Sequence, residues 1–230
     1  MQIDHIFIFS NNNGKEADEL LEFGFVEGSS RVHKGQGTTN RKFYFENFFL
    51  EILWVSGLEE IQSPLVSPTK LWQRADFKEN NFSPFGLCLV NTKDTDILFS
   101  ENAVNAAANV VKYQPQYFPV GMEIEILPNA HLPHLPWTFR LPLSLIKGGK
   151  KPSEEPINHT NSIENLTEVI FGIPYFDNIE NDYLACFRDE PSIKFTKNKV
   201  MHIYTLTLTF DNQKQGKTKV FSALPLIIKY

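Results

Sequence analysis

No stretch of the chain gathers five basic residues. That shortage removes the electrostatic footprint on which binding to a phosphate backbone rests. The 230 residues carry 22 Lys and Arg against 27 Asp and Glu, a net charge of −5, so nucleic acid is not an expected partner. No apolar run approaches the roughly 18 residues that a membrane-spanning helix needs. The first residues, MQIDHIFIFS, pass straight into strand pattern without a basic leader or a small-residue cleavage site. A cytoplasmic protein with no membrane partner is expected. Cysteine is scarce too. Cys88 and Cys186 lie in apolar surroundings and read as reduced core thiols, not a disulfide framework. There is no Gly-x-Ser-x-Gly elbow, and neither cysteine has a neighbouring histidine, so nucleophilic hydrolysis is not indicated. The loop HKGQGTTN lacks the Lys-Ser/Thr ending of a P-loop.

What the chain has in quantity is apolar matter: 42% hydrophobic residues, 20 of them Phe, enough for a sizeable core. Residues 3–9, IDHIFIF, read as a buried strand. KEADELLEFGF then sets Ala17, Leu20 and Leu21 on one helical face, with Gly24 placed to end the helix. FVEGSSRVH, RKFYFE and FFLEILWV follow as strands, so residues 1–56 spell β-α-β-β-β. Residues 57–146 read as a central segment with additional strands at SPFGLCLVN, GMEIEIL and WTFRLPLS. DTDILFSENAVNAAANVV stays ambiguous, its Ala-rich end favouring helix and its Asn and Thr opposing it. Residues 147–161, KGGKKPSEEPINHTN, have linker composition. Residues 162–230 repeat the order: strand NLTEVIFGIP, helix-like YFDNIENDYLACF, then strands ending in FSALPLIIKY. The expected fold is α+β, one compact domain of paired βαβββ modules whose mixed sheets curl around a cavity.

One residue breaks the pattern of the strongest strand. In FFLEILWV, Glu51 is flanked by Leu50 and Ile52 and shares a face with Phe49 and Leu53, while His5 shares a face with Ile3 and Phe7. If both faces line a concave surface, imidazole and carboxylate converge. Such a pair serves as a polar patch in a pocket, as two ligands for Zn, Mn, Fe or Ni, or as a structural contact completed by Arg41.

These residues resemble the vicinal oxygen chelate superfamily, and more narrowly its glyoxalase-like domain proteins. The resemblance rests on a His in the first strand, the helix ending LEFGF, the GQGTTN loop and a Glu in the fourth strand, with weaker echoes at SPFGLCL, YQPQYFPVGMEIEIL and FSALPLIIKY. It implies a divalent metal on His5 and Glu51, and a metal-dependent lyase, isomerase or dioxygenase acting on a small oxygen-rich substrate. Alignment of the two expected modules sets Glu168 opposite His5 as a second-half carboxylate that could move a proton, and Pro225, which has no ligating atom, opposite Glu51. The alternative it implies is a binding or sequestering protein without chemistry. Modules of this kind often pair between chains, so a homodimer is also allowed.

Other candidates are read from composition. Asn40 and Arg41 follow the glycine-rich loop, where Arg41 could clamp a carboxylate or the loop could be an ordinary hairpin. YQPQYFP, with Tyr113 and Tyr117, and Trp54, Trp72 and Trp137 offer aromatic surface for a ligand, or ordinary packing. In HLPHLPW the prolines argue against a helix that would converge His131 and His134 on a metal. His202 reads as a satisfied strand histidine.

Overall fold

A computed structural model describes residues 1–99, 110–127, 129, 131–142, 154–174, 182–198 and 203–230. Most of the Ala-rich stretch after Phe99, the first half of the expected linker, the start of YFDNIENDYLACF, and Met201 with His202 lie outside the described residues.

The first βαβββ unit comprises β1 (Ile3–Phe9), α1 (Asp18–Phe23), β2 (Val32–His33), β3 (Thr38–Tyr44) and β4 (Phe49–Val55). Gly24 closes α1 at φ 107°, a left-handed value that only glycine adopts freely. β1 runs parallel to β4, giving the order β2-β3-β4-β1. The short helices α2 (Leu58–Ile61) and α3 (Leu71–Ala75) lead on to β5 (Phe85–Leu89), α4 (Lys93–Phe99), β6 (Val111–Tyr113), β7 (Ile124–Ile126) and β8 (Trp137–Arg140). These repeat the plan in mirrored order, β5-β8-β7-β6, with β5 parallel to β8. β1 and β5 join antiparallel at the centre, making one curled eight-stranded sheet.

The central segment, residues 57–146, thus contains a second βαβββ unit, which the repeat read from sequence placed at residues 162–230 instead. Strands β5, β7 and β8 coincide with those expected at SPFGLCLVN, GMEIEIL and WTFRLPLS; the three-residue β6, at the end of the ambiguous stretch, was the strand missed. Residues 162–230 instead form their own five-stranded sheet, ordered β10-β9-β11-β13-β12, from β9 (Leu166–Ile173), β10 (Ile193–Lys197), β11 (Thr205–Phe210), β12 (Thr218–Val220) and β13 (Leu226–Lys229). Its centre repeats a pattern of the large sheet. β9 and β11 are antiparallel, each with a parallel neighbour, β10 and β13, as β1 and β5 have β4 and β8. The counterpart of β4 is therefore β10, and the alignment of Glu51 with Pro225, just before β13, does not hold.

The two sheets pack face to face. Ile6, Ile8, Phe43, Leu50, Ile52, Phe85 and Leu87 from the large sheet form one buried cluster with Val169, Phe171, Leu206, Leu208, Phe210 and Ile228 from the small one. Asn47 ties the sheets by reciprocal bonds, donating from Nδ2 to the Leu166 carbonyl (2.8 Å) and accepting the Leu166 N–H at Oδ1 (2.9 Å). The described end of the expected linker is packed as well. His159 is buried, accepts the Val26 N–H at Nδ1 and, in the matching tautomer, donates from Nε2 to the Tyr44 carbonyl. The opposite face of the large sheet carries Phe7, Phe9, Leu53, Cys88, Trp137 and Phe139, closed over by Ile61, Val66 and Leu71. Both faces are covered, so β1 is buried along nearly its whole length and reads as a continuous apolar run. Alternation then assigns His5 and Glu51 to the face away from the sheet–sheet core.

Candidate functional site

Strand register lays the site out as two rungs. One rung crosses five strands as Lys42, Glu51, Phe7, Gly86 and Trp137. The next runs Tyr44, Phe49, His5, Cys88 and Phe139. Curling of the sheet encloses a cavity of about 130 Å³ lined by His5, Phe7, Asn40, Lys42, Glu51, Trp137 and Phe139. Arg31, His33 and Gln36 line it from around β2, and Tyr117 and Phe118 from the loop before β7.

His5 and Glu51 are 7% and 5% exposed. His5 Nδ1 lies 2.6 Å from Asp4 Oδ1. In the neutral ring that contact holds the proton on Nδ1 and leaves the Nε2 lone pair directed elsewhere. Nε2 lies 3.8 Å from Glu51 Oε2, too far for a hydrogen bond. Glu51 Oε1 accepts from Asn40 Nδ2, and Asn40 Oδ1 accepts the Arg31 N–H at 2.7 Å. The His5 ring stacks on Phe49, centroids 4.4 Å apart, with the Phe139 edge at 5.4 Å. Two acceptor atoms thus face one another across a gap that suits a proton, a cation or a ligand hydroxyl. Asp4, His5 and Cys88 also bring one potential ligand atom each within 4.8 Å of one another. The Cys88 thiol is pushed up by burial, with Asp4 and Glu51 adding to the effect, so it stays protonated.

The roof is held by Tyr117. Its hydroxyl donates to Gln36 Oε1 (2.9 Å), its ring lies 5.0 Å from the His33 imidazole, and its carbonyl accepts from Arg31 (3.3 Å). Burial raises the Tyr117 phenol well above its ordinary range, so it remains a donor. His33, bonded to Thr38 Oγ1 at 2.9 Å, is pushed down from 6.5 to about 4, chiefly by burial and further by Arg31 and Lys42, with Glu51 opposing. The unfolded chain therefore binds this proton more readily than the native one between pH 6.5 and 4. The contribution is fully present above pH 6.5 and is lost as pH falls, by up to about 3 kcal/mol at pH 4. Urea unfolding across that range is expected to show the loss, and His33→Gln to flatten it relative to wild type.

Gly86 marks the second unit's side of the site. A Cβ there would run into the Phe7 ring, which lies across the glycine. Gly86→Val is expected to force Phe7 into the cavity, lowering stability by about 1–3 kcal/mol and weakening ligand binding, measurable by urea unfolding and calorimetric titration.

Of the residues singled out from sequence, His5, Asn40, Glu51 and Tyr117 meet in this cavity. Arg41 does not clamp a ligand. It points away from Asn40's face and holds Glu27 (2.9 and 2.6 Å) and Asp18 (2.7 Å). Trp54, on the opposite face of β4 from Glu51, lies against Gly14. Tyr113 is buried beside the cavity without lining it, its phenol raised by burial to about 12. Glu168 sits on the other sheet, paired with Lys194, and is not a second-half partner for His5. The His134 ring lies near Arg74 and is pushed down by burial. Trp137, read from sequence as aromatic surface, lines the cavity, whereas His33, Lys42 and Phe139 were not singled out. Lys42 was legible by alternation from Asn40, and His33 as the residue opening HKGQGTTN.

No protein-family profile matches the chain, and no curated protein does. Among solved structures it is similar to a hypothetical protein from Staphylococcus aureus at TM-score 0.60 and 12% identity, covering 99% of this chain and 97% of that one. At that identity the likeness extends to the fold alone.

Proposed function

We propose that the cavity binds a small amphipathic, oxygen-bearing molecule, in a protein of the glyoxalase-like, vicinal oxygen chelate type. The supporting observation is the asymmetry of one rung. Phe7 pairs with Glu51 in the first unit as Gly86 pairs with Trp137 in the second. Where a symmetric metal centre would bring a second carboxylate, this chain brings an indole. Phe139 and Phe7 extend that apolar wall, while Glu51, Asn40, His5 and Lys42 form the polar one. A pocket with an apolar body and a few convergent polar groups orients such a ligand and keeps water from its apolar part.

A second reading, a metal-dependent lyase, isomerase or dioxygenase, is favoured by the meeting of His5 Nε2 and Glu51 Oε2 as two acceptors 3.8 Å apart. The donor set fits half a site. His5 and Glu51 would hold Zn, Mn, Fe or Ni, and Asp4 would orient the imidazole. When bound, the ion would supply Lewis acidity toward a substrate oxygen. The chain's own residues would seat the substrate on the aromatic wall and hold Glu51 in place through Asn40.

Metal content of protein purified without chelator or added metal separates the readings. Near-stoichiometric metal that is lost in Glu51→Ala supports the enzyme. Metal-free protein that binds small aromatic oxygen compounds, with Glu51→Ala weakening them about tenfold, supports the binder. Metal-free protein with no such binding overturns both.

A further inference from the structure

The arginines of this protein are not partnered alike. Arg41 and Arg140, of limited exposure, each hold two carboxylates, Asp18 with Glu27 and Asp96 with Glu125, while the buried Arg74 bonds carbonyls instead and Arg31, at the cavity, is exposed. Arg31 and Lys42 hold none among the described residues. The Arg31 guanidinium lies 4.8 Å over the Tyr117 ring, and Lys42 Nζ lies 5.3 Å from the Tyr44 ring and 5.8 Å from that of Phe49. The cavity's one carboxylate, Glu51, is taken up by Asn40 and turned toward His5. The lining therefore carries two cations against one anion, in a protein whose net charge is −5. Both cations disfavour the protonated form of His33, where burial is the main cause and Glu51 opposes them. At the apolar end, Trp137 is 4% exposed and its indole N–H has no acceptor among the described residues. That nitrogen is closed to a water-sized neighbour, so Trp137 contributes to the apolar wall.

We propose that the occupant is a small aromatic carboxylate, its carboxylate held by Arg31 and Lys42. The assignment rests on the cavity being a ligand site. The ring would lie on Phe7 and Phe139. Arginine and lysine supply charge-assisted hydrogen bonds, about twice as strong as neutral ones, and the low dielectric of a half-enclosed site strengthens them further.

Calorimetric titration with 4-hydroxybenzoate and its neutral counterpart 4-hydroxybenzamide tests this. The carboxylate is expected to bind at least about tenfold more tightly at low ionic strength, with the preference shrinking as salt is added. The double variant Arg31→Gln, Lys42→Gln should lose that preference, the carboxylate weakening by at least about tenfold more than the amide. Equal binding of the two probes by wild type, or a preference that survives in the double variant, overturns the carboxylate assignment and leaves the cavity as a ligand site. Failure of both probes to bind overturns this assignment and the proposed binding function together.

Discussion

Arg74→Ala is expected to lower the free energy of unfolding by about 3–5 kcal/mol, among the largest effects of any single change in the chain. Arg74 projects from α3 and is 1% exposed. It donates to the carbonyls of Ser83 (3.1 Å) and Leu135 (2.8 Å) and to Asn129 Oδ1 (3.3 Å). Those acceptors belong to the turn entering β5 and the loop between β7 and β8. One side chain thus joins three segments of the second unit. Burial pushes its pKa down to about 9, and no carboxylate is paired with it among the described residues. Truncation would strand the carbonyls away from water and leave a void. Arg74→Met separates the two contributions, because it restores most of the volume and none of the donors. Urea unfolding should rank wild type above Met and Met above Ala. An alanine variant within about 1 kcal/mol of wild type would show that water replaces the guanidinium and that Arg74 does not brace the second unit.

Phe210→Ala is expected to cost a similar 3–5 kcal/mol or so. The residue is fully buried at the end of β11, yet its ring meets partners from the first unit: Phe45 at 4.7 Å and Phe48 at 5.8 Å in the turn between β3 and β4, and Phe25 at 6.5 Å between α1 and β2. Because it joins the two sheets, the variant should keep a single unfolding transition at a lower midpoint, as read by both far-ultraviolet circular dichroism and tryptophan fluorescence. Two separated transitions would mean that the sheets unfold independently and that the shared core is weaker than its burial implies.

The sequence announced the first unit almost strand for strand because β1, β3 and β4 each run seven residues, long enough for face alternation and turn residues to agree. It also announced that Glu51 needed a polar setting, since a carboxylate inside an apolar strand is costly unless something binds it. The second unit stayed hidden as a unit because its helix fell in an ambiguous stretch, its β6 is only three residues long, and the partners of β5, β7 and β8 are set by tertiary pairing. That concealment displaced the expected repeat onto residues 162–230 and carried Glu168 into the site with it. Arg41 misled for a simpler reason. It neighbours Asn40, and adjacent residues on a strand face opposite ways, so only one of the two could enter the cavity. Trp137 and Phe139 could not be placed until β8 was paired with β5.

The position of β1 carries a consequence for biosynthesis. This strand is made before both of its neighbours, β4 and β5, between which it lies in the middle of the large sheet. Its apolar IDHIFIF segment must therefore wait for much later residues before its backbone groups find partners. The nascent chain exposes a sticky ribbon throughout that interval, so yield in a cell should depend on chaperone supply and translation speed more than the stability of the finished fold would suggest.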